Sequence, residues 1–341
     1  MSLKEDIEAI KAKLTGDKKK DIDILFSAAD QYANRPYSKE LDLEISDLIN
    51  EITQDCDDKT LKELSVYISR RSTVSYEKNL LSIRDAIDKK HDKKALQLAD
   101  KTEAQVLASM EEARSASPDA PITYRYCFSP MEFSLANRYY PVKNVIQLPF
   151  DYVSLLTLKG QALYYSNRVD EAVLTIRKAF EYDPVSPDIS FLLADIDAVK
   201  GNWISYSMNL DRAHQFLYKR EDVKRYYFYV AQYFRLCLQD PETSKNLITA
   251  FSGKELPYQI LRKLPTKTLN ILKEKEIPLD ASDEVISTAL REVRSANAMK
   301  DKETYDYYYG ILSDFRMDSE LDFLLTEEAG FPRKGKYPFD L

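Results

Sequence analysis

Between Asp17 and about Ala116, apolar residues recur three and four apart, first as Ile22, Leu25, Phe26 and Ala29, then as Leu41, Ile45, Leu48, Ile49 and Ile52. That interval matches an amphipathic helix, whose buried stripe returns about every 3.6 residues. The polar interruptions Asn34–Tyr37 and Asp55–Asp58 are short, so neighbouring helices are expected to run antiparallel in pairs. Two more helices are expected, from about Tyr76 to Lys89 and from about Asp92 to Ser115.

The period changes between Ser115 and Asp151. Pro118, Pro121, Pro130, Pro141 and Pro149 fall there, and Ile122–Phe128 alternates with the two-residue period of a strand. Val142–Leu148 is expected to be a second short strand or an extended link. Between them, Ser129-Pro130-Met131-Glu132 reads as the start of a helix. The serine hydroxyl can accept an early backbone N–H, proline has no donor to lose there, and the glutamate can reach back.

After Asp151 the helical pattern is most regular. Leu155, Leu156, Leu158, Ala162 and Leu163 mark one helix; after Ser166-Asn167-Arg168, a second carries Ala172, Val173, Ile176, Ala179 and Phe180. Within this unit Leu156, Gly160, Leu163, Ala172, Ile176, Ala179 and Pro184 resemble the tetratricopeptide repeat, a helix pair of about 34 residues. In that family a small residue at the place of Gly160 lets the two helices approach, and a proline ends the unit. Lys159 stands where leucine is usual, and Leu156 stands for the family's tryptophan.

One period further on, Ala194, Leu210 and Ala213 occupy the places of Gly160, Ile176 and Ala179, so a second repeat is expected. Tyr206 takes the place of a small alanine and Tyr218 that of the proline, which predicts looser or shifted packing. A third unit runs from Glu221 to Gly253, with Asp240 as helix cap, Pro241 in the first turn and Gly253 as stop. Ser282–Met299 and Lys302–Phe315, joined at Lys300-Asp301, form a fourth pair.

The resemblance therefore implies an all-α solenoid of antiparallel helix hairpins, a superhelix like that of the tetratricopeptide repeats. Its expected divisions are helical hairpins over residues 1–117, an irregular or short-strand insertion over 118–150, the clearest repeats over 151–255, further helical repeats over 256–330 and an irregular tail over 331–341. In the family, the first helix of each repeat lines a concave groove. Carried over position by position, this nominates Thr157, Gln161, Tyr164 and Tyr165, then Phe191 and Asp195, then Arg225, Tyr229, Gln232 and Tyr233 as peptide-binding residues. Arg225 is expected to hold a carboxylate and the tyrosines to cover apolar side chains. Tyr226, Tyr227, Phe228, Tyr229, Tyr233 and Phe234 surround a single helix, which fits either packing between repeats or a binding surface.

Composition narrows the function further. Hydrophobic residues make up 44% and charged residues 31% of 341, the balance of a folded globular chain. Only 7 residues are glycine, too few for phosphate-cradling loops. With no long uncharged apolar run and an acidic start, a cytoplasmic protein without a membrane span is expected. Cys56, Cys127 and Cys237 are too few and too scattered for a disulfide framework. The net charge of −7, with basic residues dispersed among acids, makes nucleic acid a poor partner.

His91 and His214 stand far apart with no metal-ligand spacing, so no metal or cofactor is expected. No nucleophile, base and charge stabiliser occur together in a specific motif. The expected function is a non-catalytic scaffold that binds a protein or peptide. Two other readings stay open. One is a peptide-responsive transcriptional regulator with a degenerate helix–turn–helix near residues 60–85, carrying Arg70 and Arg71 near its turn. The other is an enzyme with an unrecognised helical active site. The tail is expected to be a disordered end; the alternative is that Tyr337, Phe339 and the Leu341 carboxylate occupy the groove of the same or another molecule.

Overall fold

The computed structural model describes residues 3–32, 38–54, 56, 60, 64, 76–115, 123–148, 150–253, 255 and 257–315. The chain is all-α apart from two three-residue strands among these residues. Two compact units are distinguished, Met1–Ser82 and Ile83–Leu341.

In the first unit, α1 (Leu3–Lys11), α2 (Lys18–Tyr32) and α3 (Ser38–Gln54) pack around Ile10, Leu25, Tyr32, Leu41, Ile45 and Leu48. The turn into α2 is fixed by buried Asp21, whose carboxylate accepts the backbone N–H groups of Thr15 and Gly16 at 2.6 and 2.9 Å. Gly16 has φ +81°, where a side chain would be strained. A helix described over residues 76–88 (α4) matches the expected Tyr76–Lys89 segment.

The second unit carries the helices of the expected repeats. After α5 (Asp92–Ser115) come β1 (Thr123–Arg125), α6 (Pro130–Tyr139) and β2 (Val145–Gln147). The strands are parallel, pairing Thr123 with Val145, Tyr124 with Ile146 and Arg125 with Gln147. Parallel strands need a crossover, and α6 supplies it. The cap of α6 forms as the sequence implies: Ser129 Oγ accepts Glu132 N at 3.2 Å, while Glu132 Oε2 accepts Phe128 N at 2.6 Å.

The helices α7 (Tyr152–Tyr165) and α8 (Val169–Tyr182) pack as a hairpin, as do α9 (Pro187–Lys200) with α10 (Trp203–Gln215) and α11 (Arg220–Leu236) with α12 (Pro241–Phe251). At Gly160 α7 and α8 approach closely, since a Cβ there would lie 2.3 Å from Ile176 Cγ1. Side-chain caps begin three of these helices: Asp151, Asn202 and Asp240 accept the backbone N–H of Ser154, Ser205 and Thr243. Two short helices without a counterpart in the hydrophobic pattern, α13 (Pro257–Lys263) and α14 (Thr266–Glu274), precede the last hairpin. That hairpin, α15 (Asp283–Met299) and α16 (Lys302–Phe315), turns at Lys300 with φ +58°.

The division at Ser82 differs from the boundary expected at residue 117, because α5 packs on α7. Lys159 Nζ lies 2.6 Å from both Asp100 and Glu103 of α5. Glu103 also accepts Tyr152 Oη at 2.9 Å and Lys178 Nζ at 3.2 Å. Burial works to raise its pKa, but the Lys159 and Tyr152 hydrogen bonds hold it below the usual range. Lys159, anomalous beside the repeat pattern, thus anchors the preceding helix.

Tyr206 does not loosen its hairpin. Its ring is fully buried and stacks on Tyr233, and its hydroxyl donates to the carbonyl of Tyr229 at 2.8 Å, so the large side chain spans from α10 to α11. The core continues through Leu210, Tyr226, Val230, Phe234, Leu247 and Phe251 to Val285, Val293 and Leu312. Residues 65–75, with Arg70 and Arg71, and the tail 331–341 lie outside the described residues.

Candidate functional site

The nominated residues of α9 and α11 meet. A step of 34 residues separates Asp195 from Tyr229, and the Tyr229 hydroxyl donates to Asp195 Oδ2 at 2.8 Å. The same step separates Phe191 from Arg225, whose guanidinium carbon lies 4.4 Å from the Phe191 ring centre. Tyr229 stacks on Phe191 at 4.9 Å, and Arg225 Nη1 meets Asp188 Oδ1 at 2.5 Å. On α11, Asp222, Arg225, Tyr229, Gln232 and Tyr233 fall on one face by helical spacing.

Local structure explains this arrangement. Pro187 opens α9 in its first turn, and Asp188 follows it at the helix N-terminus, where a carboxylate is favoured. Phe191 and Asp195, one turn apart, therefore project to one side. Val223, Tyr226, Tyr227, Val230 and Phe234 of α11 turn inward, leaving Arg225 and Tyr229 half-buried between core and surface. The aromatic surround of this helix is thus mainly packing; Phe228 is exposed.

One nomination needs correction. Phe191 has no accessible surface, because Tyr229 and Arg225 lie over its ring. It supports those two side chains and is not itself at the surface. Arg225 is also committed in a way the sequence did not indicate. Burial opposes its charge, but Tyr229 and Asp188 outweigh that and hold the guanidinium ionised, so a guest carboxylate would have to displace Asp188.

The α7 nominations do not join this cluster. Thr157 donates to Ser154 O at 3.0 Å, and Tyr164 and Tyr165 contact each other edge-on at 5.6 Å. Tyr165 is exposed, while Thr157, Gln161 and Tyr164 are half-buried. Among the described residues no hydrogen bond or ring contact ties these four to α9. Gln232 is half-buried on α11, and Tyr233 packs against Trp203, Tyr206 and Phe234.

A second group, beyond the nominations, lies at the start of the same face. Glu132 and Asp183 are buried carboxylates with their pKa values raised first by burial, Asp183 further by Glu132 and Glu132 further by Asp188. Tyr218 bridges Ser129 Oγ at 2.7 Å and Glu132 Oε1 at 3.0 Å, and Lys219 Nζ stands 3.7 Å from the same carboxylate. Asp222 has its pKa pushed up to about 6 by burial, then by Asp188, with Lys219 and Arg225 pulling the other way. Asp195 is also raised by burial. Sequence spacing gave no sign of this group, because its members come from the β1–α6 turn, the end of α8 and the start of α11.

The remaining candidates resolve as packing. His214 Nε2 lies 2.8 Å from Asp280 O and its ring sits against Tyr226, with burial lowering its pKa. Buried Cys127 has its thiol pushed up to about 12 by burial, which disfavours the thiolate a nucleophile needs. Among the described residues, no group of three His, Cys, Asp or Glu side chains could hold a metal ion, and no helix is long and apolar enough to cross a membrane. Comparisons of the chain with protein-family models, with characterised proteins and with solved structures found no match.

Proposed function

We propose that the chain is a non-catalytic scaffold that binds a protein or peptide segment along the face where α9 and α11 lie side by side. The α7–α8, α9–α10 and α11–α12 hairpins act as stacked units of a solenoid resembling the tetratricopeptide repeats, and the first helix of each presents side chains to the guest. The observation that carries this reading is the pair of side-chain contacts at one 34-residue step, Asp195 with Tyr229 and Phe191 with Arg225. A step of that size places equivalent residues of two successive first helices beside each other, as stacking of repeats requires.

Tyr229 supplies an amphipathic ring of low conformational freedom, and Arg225, Asp195, Gln232 and Tyr233 supply polar groups alongside it. Fixed side chains lose little entropy when a guest binds, so the internal contacts of Tyr229 and Arg225 are an advantage for recognition. Thr157, Gln161, Tyr164 and Tyr165 extend the surface onto α7. A cytoplasmic setting accords with the three unbridged cysteines.

The test is selection of a displayed random-peptide library on the immobilised full chain and on a variant with Tyr164, Arg225 and Tyr229 replaced by alanine. Sequences enriched on the parent and lost on the variant, with both proteins folded by circular dichroism, are expected. Equal enrichment on both would overturn the assignment of the face.

A further inference from the structure

Every basic residue at the start of α11 already has a partner. Lys219 stands 3.7 Å from Glu132 and over the Phe128 ring; Arg220 pairs with Asp314 at 2.7 Å. Lys224 donates to the Gly253 carbonyl, and Arg225 is held by Asp188 while stacked on Phe191. The carboxylates of the same face are not matched in return. Asp195 accepts only the neutral Tyr229 hydroxyl, and Asp222 has neither a hydrogen bond nor an ion pair among the described residues. Asp222 is half-buried yet shares its surroundings with Asp188 on α9 and Glu132 on α6, so negative charge accumulates where solvent is partly excluded. A surface built this way is short of cations beside an aromatic ring.

Taking the binding face as proposed above, we infer that its guest is a polypeptide segment bearing lysine or arginine next to aromatic or aliphatic residues, its positive charges meeting Asp222 and Asp195. This reverses the role first suggested by Arg225, which serves as an internal clamp on Asp188 and Phe191. Charge complementarity selects this class of guest: an acidic segment would face two unpaired carboxylates and would have to break the Arg225–Asp188 pair. Geometry adds a spacing. Asp222 lies seven residues before Tyr229, the partner of Asp195, which is about 10 Å along a helix. A guest in the polyproline II conformation rises about 3.1 Å per residue with three residues per turn, so basic side chains three apart lie on one side and would reach both carboxylates.

The experiment uses the full chain and short fluorescent peptides that place lysines three apart among tyrosine and leucine, with counterparts carrying glutamine or glutamate for lysine. Fluorescence anisotropy is expected to rank lysine above glutamine above glutamate. The Asp195→Asn/Asp222→Asn chain should bind the lysine peptide about tenfold more weakly, as two partly screened ion pairs would give. Glutamate binding as well as lysine, or undiminished lysine binding by the double variant, overturns the inference. If Tyr229→Ala still abolishes that binding, the peptide-binding reading survives. Absence of binding by all three peptides to the parent chain overturns the inference and removes support for the binding face itself.

Discussion

The Arg225 guanidinium lies over the face of Phe191, 4.4 Å from the ring centre, and this contact joins α11 to α9. A planar cation covers an aromatic face closely and still reaches a carboxylate in its own plane, here Asp188. Phe191 stays dry beneath Arg225 and Tyr229, and Arg225 stays charged although half-buried. The lid on the core and the face proposed for binding are therefore the same side chains.

Close approach of α7 and α8 at Gly160 should be visible in stability. Alanine is the better helix former by about 1 kcal/mol, so at an open site Gly160→Ala would stabilise. Here its Cβ would meet the fully buried, β-branched Ile176 at 2.3 Å, and overpacking of this kind costs about 1–3 kcal/mol. A lowered urea midpoint is expected, with Gly160→Ala/Ile176→Ala less destabilised than the sum of its single changes. A raised midpoint for Gly160→Ala would show that helix contact does not require the glycine.

Asp222 should make stability depend on pH in the direction opposite to a salt-bridged aspartate. Its folded-state pKa of about 6 lies above the ordinary 3.8, so the folded chain binds the proton more tightly than the unfolded chain. The stabilisation from protonation is fully present below the ordinary value and is lost as pH rises through about 6. Burial, then Asp188 and Glu132, push in this direction, while Lys219 and Arg225 oppose it. Allowing for partial solvent screening, Asp222→Asn should be about 1–2 kcal/mol more stable than the parent near pH 8 and equal to it near pH 4. Urea unfolding at both values checks this, and a difference that stays constant across the range would refute it.

Features set by neighbours within four residues were readable beforehand. The Ser129–Glu132 cap, the Asp240-Pro241 start and the Lys300 turn each need only a short side chain and adjacent backbone, so their spacing suffices. Interactions across 50 to 90 residues were not readable in this way. Tyr218 meets Glu132 through the path of the intervening helices, and Lys159 meets Glu103 because α5 lies against α7. Tyr206 misled for a physical reason: its length suggested crowding within its own hairpin, but the ring lies along α11 and the hydroxyl finds a backbone acceptor there. At the candidate site, the step of 34 residues brings Asp195 to Tyr229 and Phe191 to Arg225, but among the described residues it brings no α7 nomination into hydrogen-bond or ring contact with α9. It did not predict that Phe191 is covered or that Asp188 already occupies Arg225.

Glu132 tests whether one buried carboxylate holds the β1–α6 turn or merely occupies it. Its two oxygens accept Phe128 N at 2.6 Å and Tyr218 Oη at 3.0 Å, which ties the start of α6 to the segment leading into α11. Burial makes the ionised form costly, and Lys219 offsets that only in part, since the pKa remains above the usual carboxylate range. Glutamine keeps an acceptor oxygen and removes the desolvated charge, so Glu132→Gln should cost less than about 1 kcal/mol. Alanine removes both acceptors and leaves a backbone N–H without its partner; Glu132→Ala should cost about 2 kcal/mol or more. Tyr218 keeps its bond to Ser129 in either case, so the difference between the variants reports chiefly on the Phe128 N–H. Equal urea midpoints for the two variants would mean that the capping hydrogen bond does not stabilise this turn, and that the carboxylate's position near Lys219 and Asp222 needs another cause.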